Sequence, residues 1–313
     1  MALASSPRYL DPIAVSRLKN IEVKARMIVE GFITGLHKSP FHGFSAEFAE
    51  HRPYNSGEPL KSIDWKVYGR TDRLYTKRFE EETNLRCHLV LDVSDSMRYP
   101  KLKGTLSKLE YGAYLTASLG YLMFLQRDAV GLTLFDDGLR LQIEPRAKFS
   151  WLQPIFRQLE QVVDSQTQFT RRTATAKVLH ELAEKSGRRA LVILITDLFT
   201  GQEPLDDLFP ALQHLRHARH EVVILQPLHP PTELDFELGY ASVLLQDLET
   251  GEELEVQPEM LKEAYQQQMK EHLVRLRTRC RELRVDYHQV DITQPWDRAL
   301  RDYLIKRSRL RGV

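Results

Sequence analysis

From residue 85 onward, short apolar runs alternate with stretches of helical length, and this alternation constrains the fold more than any other feature of the chain. Apolar runs at 86–93, 129–135, 190–196, 221–228 and 285–292 read as strands. Between and after them, 109–126, 150–163, 174–185, 205–217, 258–283 and 296–308 read as helices. The run Ala-Leu-Val-Ile-Leu-Ile-Thr at 190–196 is the most apolar. Strands without a polar face, separated by helices, make a mostly parallel sheet covered on both sides. Asp136-Asp137-Gly138 stands between 129–135 and 139–143, a turn signal that adds one antiparallel edge strand. The expected fold class is α/β, doubly wound, with a small N-terminal α+β module.

Two domains are expected: 1–84 and 85–313. In the first, apolar residues recur at helical spacing over 11–36, and 39–83 reads as short strands and loops. The second carries a hairpin insertion at about 229–258, with its turn at Glu249-Thr250-Gly251-Glu252.

Composition excludes several classes. Lys and Arg number 44 against 43 Asp and Glu, so no global field draws the chain to nucleic acid or anionic lipid. The basic tail Lys306-Arg307-Ser308-Arg309-Leu310-Arg311 reads as a solvated last helical turn. Two cysteines, Cys87 and Cys280, make no disulfide framework, which fits a reducing, cytoplasmic setting. The N-terminus lacks the apolar core of a signal peptide, and the longest apolar stretch, 112–126, falls short of the ~20 residues that span a bilayer.

Chemistry concentrates at two strand ends. The first strand runs into Asp92-Val93-Ser94-Asp95-Ser96-Met97, and the most apolar one ends in Thr196-Asp197. Open α/β sheets bind ligands beyond the carboxyl ends of their strands, where the winding reverses. The hairpin ties the second and third strands to one side of the first. Later strands must grow from its other side, which brings Asp92 and Asp197 to neighbouring strands. Carboxylates and hydroxyls converging there are hard oxygen ligands suited to Mg²⁺, or Mn²⁺ in its place. A bland alternative is a strand-to-helix turn capped by Asp and Ser.

Asp92-x-Ser94-x-Ser96 resembles the metal-ion-dependent adhesion site of von Willebrand factor A-like domains. That resemblance implies Asp197 as the later aspartate and a loop threonine, assigned to Thr173 within Arg172-Thr173-Ala174-Thr175-Ala176. Thr170 and Thr167 are alternatives, because the usual preceding glycines are missing. Further motifs are Glu50-His51-Arg52-Pro53-Tyr54-Asn55-Ser56-Gly57-Glu58, Ile63-Asp64-Trp65-Lys66-Val67-Tyr68-Gly69-Arg70-Thr71-Asp72-Arg73-Leu74-Tyr75 and Phe79-Glu80-Glu81-Glu82. These resemble the bacterial domain of unknown function 58 family, in which this module precedes a von Willebrand A-like domain. Glu58-Pro59 and Gly69 depart from the family pattern, away from the metal site. The resemblance implies a partner, a MoxR-type AAA+ ATPase or its client, and no reaction.

The expected function is therefore metal-dependent protein binding, with an acidic partner residue completing the ion's coordination. An alternative is a phosphatase-like hydrolase with Asp92 as nucleophile. Such enzymes need a second Asp two residues on, and Ser94 stands there, unable to serve as an acid near neutral pH. No Gly-rich loop with its lysine cradles phosphates; Gly104-Thr105-Leu106-Ser107-Lys108 is a poor imitation. His51, Arg52, Asp64, Trp65 and Arg70 read as a network locking the small module to the large domain. His42, His88 and His180 lack metal-ligand spacing and read as structural, and Asp136-Asp137 reads as a turn.

Overall fold

Three strands lie at the centre of the molecule with almost no residue facing water: β3 (Arg86–Asp92), β4 (Ala129–Phe135) and β6 (Ala190–Ile195). Strands so apolar on both faces need cover on both, and the chain supplies it with helices. The computed structural model describes residues 12–16, 18, 20–37, 51–53, 65–77, 85–102, 104–164, 174–187, 189–199, 205–246, 251–296 and 300.

The main sheet also contains β5 (Leu139–Arg146), β7 (Glu221–Leu228) and β10 (Asp286–Asp291), in the order β10-β7-β6-β3-β4-β5. All neighbours are parallel except β4 and β5, the hairpin closed by Asp136, Asp137 and Gly138. The winding therefore reverses between β3 and β6, as the alternation of the sequence requires. The fold is α/β and doubly wound.

One face of the sheet is covered by α4 (Lys108–Leu125), with α2 (Ile21–His37) and α5 (Phe149–Asp164) packed on it. Helix α4 is apolar nearly all round because it lies between the sheet and the outer helices. Gly112 lets it approach closely, since a Cβ there would stand 3.2 Å from Leu91 and 3.3 Å from Ile195. On the other face, α6 (Thr175–Lys185) and α7 (Leu205–His217) pack together over Val90, Val192, Leu194 and Ile224. The long helix α9 (Pro258–Glu282) adds Leu276 and Cys280 to that second core.

The periodic stretch at 11–36 is two helices, α1 (Pro12–Ser16) and α2, and not one. Asn20 separates them: its side-chain oxygen accepts from Glu22 N at 2.7 Å and Val23 N at 3.4 Å, capping α2. Strands β1 (His51–Pro53) and β2 (Tyr75–Lys77) pair antiparallel, and between them stands α3 (Trp65–Thr71). That helix replaces part of the expected strands and loops; seven residues, with 68–71 exposed, are too few to carry a readable period. The insertion folds as α8 (Pro230–Glu233) and the hairpin of β8 (Val243–Gln246) and β9 (Glu253–Val256). Of the expected last helix, 297–299 and 301–308 lie outside the described residues, as do Asp64 and the side chains of His51, Arg52 and Trp65. Arg70, on α3, is exposed.

Candidate metal centre

Asp92 closes β3 and Thr196-Asp197 follows β6, the strand paired with it, so the reversal of winding sets two carboxylates at one rim. Asp92, Ser94, Thr196 and Asp197 are 0% exposed and Ser96 9%, so Ser96 is the member nearest solvent. Past Asp92 the chain turns through Ser94 into a 3-10 turn, Asp95–Arg98. Ser94 N donates to Asp92 Oδ1 at 2.9 Å, and Thr196 Oγ1 donates to Asp92 Oδ2 at 2.7 Å. These bonds fix the carboxylate and leave each oxygen further accepting capacity.

The hydroxyl oxygens of Ser94 and Ser96 lie 3.1 Å apart. That is hydrogen-bond distance, either hydroxyl serving as donor. Two carboxylates and two hydroxyls are a hard oxygen set, which suits a small hard cation. Asp95 turns to Arg98, its Oδ1 standing 3.7 Å from Nε.

The charges of the two carboxylates are met unequally. Asp197 Oδ2 accepts from Lys108 Nζ at 2.6 Å, and Asp197 Oδ1 from Phe199 N at 3.1 Å. Among the described residues no Lys or Arg pairs with Asp92. Burial first, and then the charge of Asp197, raise the Asp92 carboxyl well above the usual carboxylate range. A cation beside Asp92 would relieve both causes.

Lys108 itself is the first residue of α4. Burial alone would lower its pKa, but Asp197 and Glu233 outweigh this and hold it above its usual value. Its second carboxylate partner is Glu233 Oε1 at 2.8 Å. Gln226 on β7 donates from Nε2 to the Asp197 carbonyl at 2.6 Å and accepts from Tyr287 OH, bracing the same loop from two further strands.

Of the five residues predicted to hold a metal, Asp92, Ser94, Ser96 and Asp197 sit at this rim. Thr173 lies outside the described residues, as do Thr170 and Thr167. The loop's exit is described: Ala174 N donates to the Asp136 carbonyl at 2.8 Å, so α6 begins beside the end of β4, next to Asp92 in the sheet. The hydroxyl of Thr175 is buried there without a hydrogen-bond partner among the described residues. Asp136 forms the turn, with its Oδ1 accepting from Arg140 Nε at 2.6 Å.

Thr196, Lys108 and Glu233 escape a reading of the sequence for ligands. Lys108 carries a signal: within α4 the only other charged side chain is Glu110. Glu233, in Pro-Pro-Thr-Glu, carries none.

A doubly wound α/β domain with two buried carboxylates, Asp92 and Asp197, at its switch point is the class that fold and site define. Residues 50–275 match the family described as protein of unknown function DUF58, and the chain belongs to that family. Uncharacterized proteins of Mycobacterium tuberculosis and Mycobacterium bovis are 25% identical over 244 residues, 77% of this chain and 73% of theirs. Among solved structures, BatB from Bacteroides thetaiotaomicron is 16% identical with a TM-score of 0.43, covering 72% of this chain and 99% of that one. A von Willebrand factor type A protein from Catenulispora acidiphila is 16% identical with a TM-score of 0.33, covering 58% and 41%.

Among the described residues no helix is long and apolar enough to cross a membrane. Cys87 and Cys280 are buried and form no disulfide, in cores on opposite faces of the sheet.

Proposed function

We propose that the chain is a protein-binding module that works through a divalent cation, Mg²⁺ or Mn²⁺. Asp92, Ser94 and Ser96 hold the ion, with Asp197 and Thr173 completing the set. The ion keeps a position open, and an acidic side chain of a partner protein takes it. The observation that carries this reading is the buried Asp92 carboxylate, fixed by neutral donors and close to the charge of Asp197, with no Lys or Arg paired to it among the described residues.

The module is a binder and not an enzyme. Ser94 stands where a hydrolase acting through Asp92 needs an acid, and its hydroxyl is engaged with Ser96. Turnover of p-nitrophenyl phosphate by the pure protein, lost in Asp92→Asn, would contradict this.

The partner we assign is a MoxR-type AAA+ ATPase or its client, on the strength of the family resemblance. The two buried thiols support a cytoplasmic setting. The test is binding of this chain to the purified ATPase from the same cell, immobilised on a sensor. The expected signal needs Mg²⁺, disappears in a chelator and is absent in Asp92→Ala. Equal binding with and without the chelator would remove the metal from the account.

A further inference from the structure

Ion binding at Asp92 gives no reason for the lysine beside it. Lys108 is 1% exposed, and a buried ammonium is costly unless it is paired and hydrogen-bonded. Its nitrogen donates to Asp197 and Glu233, and the rings of Phe199 and Tyr99 lie 5.0 and 5.7 Å from it. Its place is fixed at the backbone too. Ser107 and Glu110 form a capping box around the start of α4, and Lys108 N donates to the Tyr99 carbonyl at 2.8 Å.

Glu233 is equally fixed. Its Oε2 accepts from His229 N at 2.6 Å, and its carbonyl accepts from Tyr265 OH of α9 at 3.0 Å. The chain thus holds one ammonium between two carboxylates, one of which belongs to the metal centre.

We propose that Lys108 and Glu233 are positioning residues that set the cation affinity of this centre in opposite directions. Lys108 holds Asp197 and takes half of the centre's negative charge away from the ion. Glu233 draws on the same ammonium and gives part of that charge back. The inference rests on the metal reading of Asp92.

Its consequence is a dependence on the partner. Asp92 and Asp197 together would neutralise a divalent ion, and an incoming carboxylate would meet no net charge. Lys108 alone would leave the ion a positive surplus and Glu233 formally cancels it, so the surplus an acidic side chain meets is set by how far Glu233 takes up the Lys108 ammonium. The bond from Tyr265 to Glu233 ties this balance to α9.

The test is calorimetric titration of metal-stripped wild type, Lys108→Met and Glu233→Gln with Mn²⁺, alongside Asp92→Ala. A full charge a few ångströms from a divalent ion is worth several powers of ten in affinity at an effective dielectric near 20, and still about tenfold at the dielectric of water. Lys108→Met is expected to bind about tenfold tighter, with a larger rise in melting temperature on adding Mn²⁺. Glu233→Gln is expected to bind several-fold weaker. Purely structural roles would move both variants the same way or not at all, and either result overturns the proposal. If Lys108→Met does not fold, Glu233→Gln decides, with unchanged or tighter binding overturning it. Binding in wild type that is lost in Asp92→Ala, with both variants like wild type, defeats this proposal alone. No binding in wild type defeats it together with the metal reading.

Discussion

Thr196 Oγ1 donates to Asp92 Oδ2 at 2.7 Å, joining the ends of β6 and β3 across the point where the sheet reverses its winding. The same hydroxyl oxygen accepts from Leu198 N at 3.2 Å. One buried threonine therefore orders both strand ends at the candidate centre.

Thr196→Val removes both bonds and leaves a buried amide and a carboxylate oxygen each short of a partner. Such a loss costs about 1–3 kcal/mol. The urea midpoint should fall by a matching amount with an unchanged m-value. An unchanged midpoint would mean that water replaces the hydroxyl at no cost.

Asp92→Asn should stabilise the protein without metal while ending its response to metal. The Asp92 carboxyl titrates above its usual range because of burial and Asp197. A raised carboxyl binds more protons folded than unfolded, so its contribution to stability is lost as pH rises through the raised value. Wild type in chelator should lose stability as pH rises from about 4 to about 7, and Asp92→Asn should lose less over that range. Thermal melts of the two proteins across that range check this.

His88 gives a dependence of the opposite sign over nearly the same range of pH. It is 1% exposed in β3, with both ring nitrogens lacking a hydrogen-bond partner among the described residues. Burial, then Arg86 and His220, lower its pKa to about 4. An unfolded histidine titrates near 6.5. The unfolded chain therefore takes up a proton that the folded chain refuses, and stability falls as pH drops from about 6.5 to about 4. His88→Leu should flatten that part of the profile in urea titrations at pH 7 and 5, and an unaltered slope would count against it.

Gly131 marks where β4 and β5 come too close for a side chain. A Cβ there would stand 2.5 Å from the Ile143 carbonyl and 2.8 Å from Pro145 N, beside an irregularity in the pairing. Gly131→Ala must push the edge strand away and should cost about 1–3 kcal/mol, as overpacking does. Chemical denaturation measures it.

The doubly wound core was legible because its strands are apolar on both faces and its helices are long enough to show their period. The antiparallel edge followed from one Asp-Gly turn, and with it the meeting of Asp92 and Asp197. Break and cap between α1 and α2 were hidden, because Asn20 interrupts the apolar period for too few residues to see. Helix α3 was hidden because it is a short helix, seven residues, whose stretch 68–71 is exposed and shows no apolar period. At the centre, Asp92, Ser94, Ser96 and Asp197 were legible from chain-local patterns. Lys108 and Glu233 were not, since their pairing spans 125 residues and depends on α8 returning beneath α4. Long-range ion pairs leave no periodic trace.

Titrating metal-stripped wild type and Asp92→Ala with Mg²⁺ in a calorimeter tests the central claim most directly. The account predicts saturable binding of one ion per chain in wild type and none in Asp92→Ala. Absence of binding to the folded wild type, or equal binding by Asp92→Ala, would contradict it.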